Sequence, residues 1–146
     1  MAKLTDVVSK FETAAGTISG MNFLFGYLFE MNEIQNKGYP LALLTPPSSV
    51  IPDYNNPVEN YQVELYILQE KTRSDTTALE TIWEQLKDWA WDIIDQVVAR
   101  GAGSPQYYMP PNRTVNITPY AQQGNDVAPG IKVTFTLQVK DCRNMA

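Results

Sequence analysis

Apolar residues return at helical spacing in two stretches of the chain and at alternate positions in several others. From Leu4 through Val7, Val8, Phe11, Ala15 and Ile18 the spacing predicts a short amphipathic helix, beginning near Thr5 and interrupted by Gly16 and Gly20. Between 75 and 100 the signal is stronger. At about 100° per residue, Leu79, Ile82, Trp83, Leu86, Trp89, Ala90, Ile93 and Val97 fall on one side, and Glu80, Glu84, Asp88, Asp92 and Asp95 fall opposite. One face wants a core and the other wants water. Asp75 or Thr76 is placed to cap this helix, Thr77 and Glu80 have capping-box spacing, and Gly101 and Gly103 end it. Trp91 projects among the acids, where a large aromatic has no reason to sit unless something covers it.

The alternating stretches predict strands. Phe23, Phe25 and Gly26 suit a strand ending in a turn, with a helical turn over Leu28 to Ile34, and Leu41 to Leu44 is a short buried strand. In Tyr61 to Gln69, Tyr61, Val63, Leu65 and Ile67 share one face, and the far end is apolar on both faces. Two strands close the chain, about Arg113 to Ala121 and Ile131 to Lys140, joined by the turn-rich QQGNDVAPG. In the last, Ile131, Val133, Phe135, Leu137 and Val139 face one way, and Lys132, Thr134, Thr136, Gln138 and Lys140 the other. Two proline-rich segments read as long loops. Residues 46–57 hold four prolines, which disfavours a central strand, and carry Val50, Ile51 and Tyr54. The second, GAGSPQYYMPPN, carries Tyr107, Tyr108 and Met109, an aromatic cluster suited to a contact surface or to packing on its own domain.

This order predicts one α+β domain over 1–146: a mainly antiparallel sheet of about four to five strands, with the long helix and the shorter N-terminal helix on one face. A chain of 146 residues that is 44% hydrophobic can build one core. Sixteen acidic against eleven basic residues give a net charge of −5, which argues against a nucleic-acid grip through phosphates. Cys142 is the lone cysteine, so an intrachain disulfide framework is excluded. No secretory leader or membrane span is legible, and the expectation is a protein made and used in soluble form. The glycosylation-type triplets at Asn112 and Asn116 carry no weight without such a leader.

Chemistry is sparse. The absence of histidine removes the commonest general base, the usual nucleophilic triads and most zinc or iron sites, and no phosphate-binding glycine loop occurs. No catalytic residue, metal site or cofactor is expected. The acidic row Glu80, Glu84, Asp88 and Asp92 reads first as a solvated helix face. From Glu59 to Asp95, nine acids stand against three bases, an excess larger than the net charge of the chain. Repeated around a ring, that face would create a negative field through which a polyanion passes without sticking.

The strand Tyr39-Pro40-Leu41-Ala42-Leu43-Leu44, the strand around Val63 to Leu68, the helix at 75–100 and the closing Gly130-Ile131-Lys132-Val133-Thr134-Phe135-Thr136-Leu137-Gln138-Val139 together resemble the tail-terminator, or tail-completion, proteins of tailed bacteriophages. Phe23-Leu24-Phe25-Gly26, followed by Asn32 and Tyr39-Pro40, is similar to phage structural proteins of this type. The resemblance lies in element order and a few dipeptides over most of the chain. It implies a non-enzymatic virion protein, made in the host cytoplasm, that forms a homo-oligomeric ring in the tail or neck. A hexamer is the order implied, with a dodecamer as the other, and the implied partners are further copies and other neck or tail proteins. Genomic DNA would pass without specific binding, and no membrane is involved. A ring would occupy Trp91, Tyr107, Tyr108, Met109, Val50, Ile51 and Tyr54 at subunit contacts and could place Glu80, Glu84, Asp88 and Asp92 on the lumen. The two long proline-rich loops and the FLFG segment depart from simpler members. Two other readings stand beside this one: a standalone α+β binding domain for a small apolar ligand or peptide, and a histidine-free enzyme using carboxylates.

Overall fold

The computed structural model describes residues 4–27, 40–53, 58–69, 79–98, 106–108, 114–121 and 129–140. Its elements are α1 (Leu4–Gly16), β1 (Asn22–Phe25), β2 (Leu41–Leu44), β3 (Ser49–Asp53), β4 (Val58–Leu68), α2 (Leu79–Val97), β5 (Gln106–Tyr108), β6 (Val115–Ala121) and β7 (Pro129–Lys140). They form an α+β fold with a mixed, strongly curled sheet.

The spine of the sheet is the antiparallel pair β4–β7, in register from Val58↔Lys140 to Leu68↔Gly130. β7 alternates throughout and β4 as far as Leu65, so the pairing aligns Tyr61, Val63, Leu65 and Ile67 with Leu137, Phe135, Val133 and Ile131 on one buried face. Each side of the spine is bordered by a strand in two pieces. On the β4 side, β2 pairs with Leu65–Leu68 and β3 with Val58–Gln62. The four residues Thr45–Ser48, including Pro46-Pro47, stand there against only Val63 and Glu64, and the Thr45 and Ser48 N–H groups donate to the Glu64 and Gln62 carbonyls. On the β7 side, β5 pairs with Gln138–Lys140 and β6 with Pro129–Phe135. β1 lies outside β2 and is parallel to it, which makes the sheet mixed.

Both helices lie on the face that carries the spine's apolar residues, α1 over β1 and β2, and α2 chiefly over β7. Val7, Phe11, Ala14 and Ala15 from α1 join Ile82, Leu86, Ala90, Ile93, Ile94 and Val97 from α2 in one core, where the rings of Phe11 and Phe135 lie 6.2 Å apart. After α1 the chain turns through Gly20 at φ 80°, a left-handed conformation that glycine adopts without steric cost, and the Met21 N–H donates to the Ile18 carbonyl. Leu41, Leu43, Tyr66 and Leu68 form a second buried cluster on the opposite face, with Leu24 packed against it. This is the doubly apolar end of β4 that the alternation predicts.

Two expectations are corrected. Residues 49–53 are not loop but strand β3, and 106–108 are strand β5. Proline excludes a strand from the middle of a sheet, where both sides must hydrogen-bond; among the described residues β3 pairs with β4 alone, and Pro52 is accommodated on that edge. The helical turn expected over 28–34, the caps of α2, Tyr54 and Met109 lie outside the described residues.

Candidate functional site

The second helix carries most of the candidate residues. Its buried stripe is Ile82, Leu86, Ala90, Ile93, Ile94 and Val97, with Trp89 half-buried beside it. Trp91 is 44% exposed, on the polar side where the periodicity puts it. Trp83, expected on the apolar face, is 37% exposed, while Ile94, 20° further round the helix from it, is buried. Trp83 sits on the rim of the stripe in the first described turns of α2. Eight residues apart, Trp83 and Trp91 lie about 12 Å apart along the axis and about 80° apart around it. Lys87 falls between them, its Nζ 3.0 Å from the Glu84 carboxylate in an exposed ion pair that contributes little to stability.

Glu80, Glu84, Asp88, Asp92 and Asp95 are all exposed, a solvated row on the far side of the helix from the core. They follow one another along one element instead of converging from several. Among the described residues no three acids, cysteines or histidines are grouped so that they could hold a metal ion.

The remaining candidates separate. Val50 and Ile51 are 40% and 61% exposed on β3, one on each face of the sheet by strand alternation. Of the two settings expected for Tyr107, a subunit contact in a ring or packing on its own domain, the structure shows the second: the side chain turns into the chain's own core beside Val139. Its hydroxyl donates to the Asp6 carbonyl at 3.2 Å, and the Lys10 Nζ lies 5.7 Å from its ring centre, so β5 is tied to α1. Tyr108, half-buried, pairs with Gln138 on the opposite face. That face is polar in the middle of the spine, before the second apolar cluster begins: the Thr136 hydroxyl donates to Gln62 Oε1 at 2.9 Å, and Lys132 lies 3.9 Å from Glu64 and 5.8 Å from the Tyr66 ring centre.

Sequence reasoning missed two exposed aromatics, Phe25 at 36% and Tyr27 at 53%, at the outer edge of β1. The signal available was the run Met21 to Tyr27, which has neither charge nor proline, as an edge strand guarded against partners normally would. Among the described residues no helix is long and apolar enough to cross a membrane. No protein-family model matches the chain, and a search of characterised proteins found no significant match.

Proposed function

We infer that this chain is a non-enzymatic structural protein of a tailed-phage virion, forming an oligomeric ring at the head–tail junction as a tail terminator or neck ring. The observation that supports the reading is the exposed pair Trp83 and Trp91 on α2. Fully burying a large apolar side chain is worth about 1.5–3 kcal/mol, and the share that belongs to the surface still exposed at each tryptophan is what a subunit contact recovers. The exposed apolar residues on the sheet, Phe25 and Tyr27 at β1 and Val50 and Ile51 at β3, belong to the β2–β4 half, whereas α2 lies chiefly over β7. A cyclic ring needs two different surfaces on each subunit, one meeting the other on the next copy, and this distribution supplies them.

Light scattering on the purified protein is the direct test. A discrete assembly of several subunits is expected, and Trp91→Ala should lower its mass or raise the concentration needed to form it, with the melting temperature of the dissociated chain changed little. A strictly monomeric protein at high concentration, also absent from purified particles, sinks the reading. A monomer whose melting temperature rises with an apolar ligand would place the function in a standalone binding domain.

A further inference from the structure

The sheet has open edges of different kinds, told apart by backbone chemistry. The Asn22 N–H donates to the Pro40 carbonyl and the Gly26 N–H to the Leu44 carbonyl, so in β1 the even residues turn their backbone groups toward β2. Phe23 and Phe25 therefore turn theirs outward. In β6, Pro119 stands opposite Ile131 and has no N–H to exchange, so Pro119 and, by period two, Ile117 and Val115 face away from β7. In β3 the Ser48 N–H reaches Gln62 and the strand pairs from Ser49↔Gln62 onward; its outward positions are Val50 and Pro52, and the proline removes one of the two donors. β5 has only three residues. Among the described residues, nothing pairs with the outer side of β1 or β6.

We propose that the outer edge of β1 receives β6 of a second copy of this chain, antiparallel, with Phe23 opposite Ile117, Leu24 opposite Asn116 and Phe25 opposite Val115. This rests on the reading of the chain as a self-assembling subunit and names the contact that joins successive copies.

Three observations select this occupant. First, direction: β1 runs parallel to β2, β2 antiparallel to β4, β4 to β7 and β7 to β6, so a neighbour placed side by side in the same orientation presents β6 antiparallel to β1. Second, bonding: in this register the outward N–H and C=O groups of Phe23 and Phe25 meet those of Ile117 and Val115 as two fully exchanged pairs. The next pair at one end would be Met21 with Pro119; the Met21 N–H is already given to Ile18 and proline has none, so the ladder stops at that end with no donor stranded. Third, side chains: Phe23, Ile117 and Val115 all pack on the helix-bearing face of their own sheet, and Phe25, beside Leu44, shares it. The joined sheets thus keep one helical face, with aromatic–β-branched pairs across the junction.

Neither strand carries a charge to repel the other. Within one subunit Phe25 lies level with Ile117 through Leu44, Leu65 and Val133, so the proposed register is offset from straight-across by two residues. A stagger of this kind is what a sheet needs to close on itself. The junction also sets the donor's α2, over β7, on the side of the acceptor's α1, over β1 and β2.

The test uses the whole chain with Cys142→Ser. Leu24 and Asn116 occupy a non-exchanged pair, whose Cα atoms approach to about 4.5 Å, within disulfide range. The double variant Leu24→Cys/Asn116→Cys should give, under mild oxidation, a ladder of covalent multimers on a non-reducing gel, with neither single variant cross-linking. Phe25→Pro removes an outward N–H while leaving the bonds to β2 in place, and should abolish the ladder and lower the assembly mass while the circular-dichroism spectrum is kept. Absence of cross-links, or a Leu24→Cys dimer indicating pairing of β1 with β1, overturns the proposal. A ladder ending in one closed species supports the ring as well; a ladder without an end keeps the strand pairing and overturns the ring.

Discussion

Gly130 is the residue on which the β4–β7 spine leaves no latitude. A Cβ built there would meet Leu68 Cδ2 in overlap and stand 2.7 Å from the Ile67 carbonyl oxygen, which belongs to the backbone of the facing strand and cannot turn aside. Gly130→Ala is therefore expected to destabilise the fold by about 1–3 kcal/mol, read as a lower denaturant midpoint with an unchanged slope. Tyr61 shows a different constraint. Burial, then the nearby charges of Glu59 and Asp6, hold its hydroxyl above the ordinary tyrosine pKa, because each disfavours the phenolate. The folded state thus retains this proton longer than the unfolded chain does. Its stabilising contribution is complete below the unfolded value of about 10 and is lost as pH rises from there through the folded value. Tyr61→Phe should flatten that alkaline decline in melting temperature, and an identical decline in both proteins would contradict the assignment.

At the scale of the element, α2 separates two uses of large apolar side chains. Leu86 is fully buried, and Leu86→Ala should cost about 2–5 kcal/mol; Trp91→Ala, on the exposed flank, should leave chain stability nearly unchanged while weakening assembly. If Trp91→Ala instead unfolds the chain, Trp91 belongs to the core. The exposure of Trp91 was legible from its angle among the acids, since helical periodicity is fixed by geometry. That of Trp83 was not: it sits on the rim of the stripe, where the extent of the covering sheet decides, and that extent is a tertiary fact. The strands of the spine were legible for the same reason as the helices, because period two survives over the long run of β7. β3 and β5 were not, because proline density speaks only of missing donors, and an edge strand needs donors on one side alone. The parallel pairing of β1 with β2 left no mark in local sequence, since it depends on where the chain returns after position 27. The choice between the two settings of Tyr107 was not legible, because an aromatic between prolines looks alike whether its partner is a neighbouring subunit or, as here, α1 of the same chain.

For the whole molecule, charge is distributed less evenly than the net −5 suggests. The exposed face of α2 holds Glu80, Glu84, Asp88, Asp92 and Asp95, with Lys87 as the one basic residue described on that helix. In the proposed ring, a lumen lined by this face would repel passing DNA, with a range set by a Debye length of about 8 Å at physiological salt. The double variant Glu84→Lys/Asp88→Lys should then assemble but slow genome ejection or retain DNA in the particle, more strongly at low salt. Particles with unaltered infectivity and ejection would move the acidic face away from the lumen.

The proline-proline break at 46–47 has a mechanical meaning. Together with the separate pairing of β5 and β6, it leaves β4 and β7, among the described residues, as the strands that run from one end of the sheet to the other, while their flanking strands pair in two separate lengths. A twist imposed on β1 and β6 reaches β3 and β5 through β4 and β7, and not along the flanking strands themselves. The two ends of the sheet are thus joined through one central pair of strands, as two leaves are joined by a common axle.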